Sequence, residues 1–222
     1  MTTKTEEILL QSIPKFGVIL KRLTLMESIN LSKQKTDYFG FLKRVIESIS
    51  NLDEMQIANI TIQDAIAMTV YYRMYFWGDM EISDNGGLSP SDFIRSCGSE
   101  EIDKSTVRIG DYRFSPAIRM KDAIDAERYC ASVGDIANLR FYIMGAGCTR
   151  KGVKDGIDTI KSLMDDSNDI GALLAYNELI GTLSNIELSF MDGDGKISIV
   201  AEKGGERFAL PFRGSRFFTF GI

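Results

Sequence analysis

The chain contains no histidine and only three cysteines, Cys97, Cys130 and Cys148, which lie far apart and form no CxxC pair. These shortages nearly exclude a zinc site of the usual kind, whose ligands are thiolates and imidazoles. They also remove Ser-His-Asp and Cys-His catalysis, and with them the commonest general base near neutral pH. Any enzyme built on this sequence would have to use carboxylates, lysine or tyrosine. The expectation is therefore a protein that is not an enzyme, needs no cofactor and holds no metal. An odd number of dispersed cysteines also predicts reduced thiols rather than a disulfide framework.

Long apolar runs and basic blocks are missing too. No stretch approaches the about 20 apolar residues of a membrane span. The first residues, "MTTKTEEILLQSIPKFG", carry acids where a secretory signal carries bases, which predicts a protein that stays inside the cell where it is made. Lys and Arg total 26 against 31 Asp and Glu, a net charge of -5. Nucleic-acid binders draw much of their affinity from a basic stripe that releases counterions, and "LRFYIMGAGCTRKGVK" is only locally basic. Neither nucleic acid nor membrane is an expected partner. With 44% hydrophobic residues and 4 prolines in 222, the composition suits one large globular domain or two small ones.

What is present is a pattern that runs twice. "LTLMESI" (Leu23–Ile29) and "IRMKDAI" (Ile118–Ile124) share apolar positions and an acid, Glu27 or Asp122, and each follows an alternating stretch, "VILKRLTL" or "YRFSPAIRM". "FLKRVIESIS" and "ANLRFYIMGAG" then read as amphipathic helices. "ITIQDAIAMTVYYRMYFWGDMEI" and "MDDSNDIGALLAYNELIGTLSNIEL" read as long helices running into strands, with Asp64 and Asp169 in their first turns near the helix dipole. The expected fold is α+β: two pseudo-repeated helical units, each followed by a small antiparallel β-sheet, with residues 1–115 as the first unit and 116–222 as the second.

Several short motifs invite a chemical reading and fail it. "FMDGDGKISIV" is not a calcium loop: with Gly195 at the loop glycine, Phe190 falls where the first acidic ligand belongs and Ala201 where the closing glutamate belongs. Asp-Gly and Gly-Gly between the period-2 runs "IELSF", "KISIVA" and "RFALPF" predict a β-meander instead. "YIMGAGCTRKG" lacks the glycine spacing of a phosphate loop and reads as a helix end and turn, its glycines supplying positive φ. Cys148, beside Arg150 and Lys151, could be activated, although a small packed residue is the more ordinary role. "AIAMTVYYRMYFWGDM" reads as a helix buried on most sides, with Trp77 at its end anchoring the adjoining strand. The tail "RGSRFFTFGI" gathers Phe217, Phe218, Phe220 and Ile222, which serve either as a last strand or as anchors for a partner.

The order of "VILKRLTLMESI", "ITIQDAIAMTVYYRMYFWGD" and the β segment ending in "FRGSRFFTF" resembles the baseplate hub and tail-assembly family of T-even-type bacteriophages. That resemblance implies a structural or assembly role without catalysis. The partners it implies are other phage tail and baseplate proteins, with an oligomer of the chain itself as one option within the assembly. The location would be host cytoplasm during assembly, then the tail or baseplate of the virion. Family members carry paired cysteines in their β segments; here "DGDGK" and "EKGGE" stand in their place, so no metal is carried over. The competing expectation is an intracellular enzyme using Asp64 or Asp169 in a cleft between the repeats.

Overall fold

A computed structural model describes residues 5–10, 17–33, 37–79, 87–94, 106–149, 153–164, 170–183, 186–189 and 197–211 of the chain. Strands β1 (Thr5–Leu9) and β2 (Gly17–Lys21) pair antiparallel, Ile8 opposite Val18. β2 has the period of a half-buried strand: Val18 and Leu20 are buried while Ile19 and Lys21 face out. The chain then enters α1 (Leu25–Ser32) through a capping box: Glu27 N–H donates to Thr24 Oγ1, and Thr24 N–H donates to the Glu27 carboxylate at 2.7 Å. Helices α2 (Tyr38–Ile49), α3 (Glu54–Asn59) and α4 (Ile62–Trp77) come next, with Asp53 and Gln56 forming a second capping box on α3. In α2 the stripe Phe39, Leu42, Val45, Ile46 and Ile49 is buried, which is the spacing that makes it amphipathic.

A short 3-10 turn (Pro90–Phe93) and the hairpin of β3 (Val107–Ile109) and β4 (Tyr112–Phe114) lead to a second helical set. This set comprises α5 (Met120–Ser132), α6 (Leu139–Ala146), α7 (Val153–Met164) and α8 (Ile170–Thr182). The described chain closes with the antiparallel meander β5 (Glu187–Ser189), β6 (Ser198–Lys203) and β7 (Glu206–Pro211). Gly204 and Gly205, at φ 61° and 83°, turn β6 into β7 as the Gly-Gly signal requires. The Asp-Gly turn at 191–195, like Asp169, Cys97, Arg150 and Lys151, lies outside the described residues. The architecture is α+β, with helices and small antiparallel sheets.

The two helical sets meet where they begin. Ile62 N–H donates to Ile118 O and Met120 N–H to Ile60 O, both at 2.9 Å, so the starts of α4 and α5 are tied by a short antiparallel bridge. Gln63, buried on α4, donates through Nε2 to Pro116 O and Ile180 O, which adds the end of α8 to the same knot. α5 packs against α2, α3 and α4 on one side and α6 and α7 on the other. Buried residues from Ile8 to Ala201 form one cluster.

The "GAG" glycines serve another purpose than the expected positive φ. Gly147 caps α6 at φ -73°, an ordinary helical value. The requirement is close approach: a Cβ on Gly145 would sit 2.6 Å from backbone atoms of Ile157, and one on Gly147 would meet Ser115 O and the Tyr176 hydroxyl. Gly156 on α7 is pressed in turn against Gly145 O and Cys148 Cβ. Glycine pairing thus lets α6 and α7 cross at backbone contact, and it leaves Cys148 buried against α7 as a packing residue.

Candidate protein-binding surface

Two helix carboxylates, Asp64 and Glu127, are buried in the fold. Asp64 occupies the first turn of α4 as expected, but it is only 2% exposed and its N–H is taken by the Thr61 cap. Glu127 on α5 is buried and accepts the N–H groups of Tyr38 at 2.6 Å and Phe39 at 2.8 Å. It supplies from another helix the cap that Asp37 does not make for α2. Burial pushes its carboxyl above the ordinary value, against the pull of those two donors.

A second network joins the turn after α5 to α6 and α7. Tyr142 donates to Asp135 Oδ2 at 2.7 Å, Lys161 Nζ donates to the same oxygen at 2.9 Å and to the tyrosine oxygen at 2.6 Å, and Asn138 holds Oδ1. The Lys161, Tyr142 and Asn138 donors lower the Asp135 carboxyl from 3.8 to about 2. The Tyr142 oxygen and then Asp135 hold Lys161 above its ordinary range. Tyr142 is fully buried, so no substrate reaches this hydroxyl. The network is a permanent ion pair linking three elements, far from a base poised near neutrality.

Asp135 makes stability depend on acid. Its folded value lies below the unfolded one, so its contribution is present above 3.8 and is lost as pH falls toward about 2. Asp135→Asn should therefore melt below the wild type at pH 7 and converge on it as pH falls through that window. Melting temperatures taken across pH 2–5 by circular dichroism check this; an undiminished gap at the acid end contradicts it.

Tyr112, Asp155, Asp158, Thr159, Ser162 and Leu163 line a cleft of about 280 Å³. It lies at the small end of the range for ligand sites. No group of three or more metal-ligating side chains occurs among the described residues. No helix among them is long and apolar enough to cross a membrane.

Several large apolar side chains are exposed. The sequence pattern pairs α4 with α8, yet twelve residues of α4 are buried, as expected for a central helix, whereas α8 is buried on one side only. Its inner face is fixed by Leu173, Tyr176 and Ile180. The Tyr176 hydroxyl donates to Ser115 O at 3.1 Å and Met144 O at 3.0 Å, and its ring meets Phe114. Its outer face presents Gly171, Leu174, Ala175, Glu178, Leu179 and Thr182, with Leu174 47% and Leu179 39% exposed. These positions follow the 3.6-residue period, so they form one stripe with a single charge. Ile19, Leu25, Met26, Met55, Val133, Ile136 and Phe208 are exposed elsewhere.

Phe217, Phe218, Phe220 and Ile222, the anchors expected from the sequence, lie outside the described residues. Sequence reading missed the outer face of α8, although the signal was present in "IGALLAYNELIGT", which is apolar on every side. The strand that Trp77 is expected to anchor lies beyond Asp79, outside the described residues; Arg22, after β2, lies over the Trp77 ring, 4.9 Å from the centroid. Comparison with models of known protein families, with characterised proteins and with solved structures finds no match for this chain.

Proposed function

We propose that the chain is a non-enzymatic structural or assembly protein of a phage tail, acting through protein–protein contacts near the baseplate hub. The observation that carries the first half of this reading is the outer face of α8. A helix apolar all round that is buried on one side only has a second surface to cover, and exposed apolar stripes of this kind mark interaction sites. The likeness of "VILKRLTLMESI", "ITIQDAIAMTVYYRMYFWGD" and "FRGSRFFTF" to the T-even-type tail family supports the second half. Phe217, Phe218, Phe220 and Ile222 are further apolar anchors for a partner in this reading. The same reading takes α1–α4 and α5–α8 as two copies of one unit, supported by Glu27 and Asp122, each at the third position of its helix.

Quantitative mass spectrometry of purified tailed particles, and of unfinished tails from infected cells, tests the reading. A fixed copy number relative to a baseplate component is the result expected for a structural part. Presence on unfinished tails alone assigns an assembly role. Absence from both contradicts the proposal. In the same assay, a chain ending at Pro211 should be lost from the assembly.

A further inference from the structure

The hairpin of β3 and β4 is laced to the chain that leads into α7. Ser115 N–H donates to Gly147 O at 2.7 Å, Thr149 N–H donates to Arg113 O at 2.9 Å, and Phe114 stands opposite Cys148. This brings Tyr112, the first residue of β4, beside one face of α7. On that face Asp155, Asp158, Thr159, Ser162 and Leu163 recur at helical spacing. Between them lies the cleft of about 280 Å³.

Its walls are of two kinds. Tyr112 and Leu163 are half-buried and pack against the core. Asp155 and Asp158 bring two exposed carboxylates. The Thr159 hydroxyl donates to Asp155 O at 2.8 Å, which leaves its oxygen free to accept, and Ser162 adds a second hydroxyl. No lysine or arginine among the described residues forms an ion pair with either carboxylate; Lys161, on the same helix, is engaged by Asp135 and Tyr142. Two like charges one turn apart are mildly unfavourable on a helix unless a cation joins them.

The lining also selects the kind of cation. Two carboxylates are few for a metal ion, and the described residues supply no group of three ligating side chains. An organic cation has directional N–H donors that suit carboxylates and hydroxyls, and an apolar stem that suits Tyr112 and Leu163. The carboxylates alone would be a solvated face; the recess they share with two apolar side chains is what fits a ligand.

We propose that this cleft binds an organic cation, a guanidinium or primary ammonium on a short apolar stem. Asp155 and Asp158 pair with its charged head, Ser162 and Thr159 accept its remaining donors, and Tyr112 and Leu163 pack along its stem. Such a group belongs either to a free amine or to a basic side chain of a partner protein. The site uses none of the outer-face residues of α8.

NMR titration of the full, isotope-labelled chain tests this with three probes: agmatine, the capped amino acid N-acetyl-arginine-N-methylamide, and its neutral isostere N-acetyl-citrulline-N-methylamide. Ionic strength is held constant throughout. A cationic probe should shift the amide signals of Tyr112, Asp155, Asp158, Thr159 and Ser162 saturably, with a Kd of about 1 mM. Asp155→Asn/Asp158→Asn should weaken that binding by about tenfold or more. Asp158→Asn alone, an exposed change that should move the melting temperature by no more than about 2 °C, should weaken it severalfold. A response to agmatine alone assigns a free amine, whereas a response to capped arginine assigns a side chain of a partner. The proposal is overturned if neither cation gives a saturable shift, if the citrulline compound binds as well as the arginine one, or if the variants bind as the wild type does.

Discussion

Glu127→Ala should lower the stability of the fold by about 3 kcal/mol, the largest loss expected from any single truncation of a polar side chain here. The carboxylate is 8% exposed and satisfies the first two N–H groups of α2 from a helix 88 and 89 residues further along the chain. Alanine leaves both donors buried without acceptors, each costing about 1–3 kcal/mol, and opens a cavity between α2 and α5. For a chain of this size the melting temperature should fall by roughly 6–12 °C. Glu127→Gln keeps one acceptor and should lose about half as much. The pH dependence has the opposite sign to that of Asp135. The Glu127 carboxyl is raised in the fold, so its contribution is complete below 4.5 and is lost as pH rises through the folded value. The stability of Glu127→Gln should accordingly depend less on pH just above 4.5. A melting temperature for the alanine variant within about 2 °C of wild type would mean that α2 is capped by something else.

Local chemistry carried much of the fold. The Thr24–Glu27 spacing is that of a capping box, and the structure places α1 behind it. Gly204–Gly205 between alternating runs gave the turn from β6 to β7. The density of apolar residues in α4 gave a helix buried nearly all round. Features that depend on contacts between distant segments could not be read in this way. The "GAG" glycines are spaced for a turn, and only the crossing of α6 on α7 shows that Gly145 is needed for its missing Cβ. β1, "TEEIL", has little strand pattern and is held by pairing with β2. Glu127 looks like one more surface acid until α2 begins against it.

The second large effect concerns assembly rather than folding. Periodicity could not distinguish α8 from α4, because an apolar helix reads alike whether the chain's own core covers it or a partner does. Exposure separates them: Leu174 and Leu179 stand out on the side away from Tyr176. Acidic substitutions at these two positions stay in water in the free protein and should change its stability by no more than about 0.5 kcal/mol each. In a complex they would be buried without partners, at a combined cost of about 3 kcal/mol or more, which is about a hundredfold in affinity. A substitution of this kind separates binding from folding.

The most direct measurement of the proposed role is therefore the copy number of Leu174→Glu/Leu179→Glu relative to wild type on tailed particles and unfinished tails, the proposal requiring that one of them carry the wild-type chain, alongside melting curves of both proteins. The account predicts near-identical melting and at least a tenfold drop in incorporation. Incorporation at the wild-type level by an equally stable variant would contradict it, and would show that the outer face of α8 is not a docking surface.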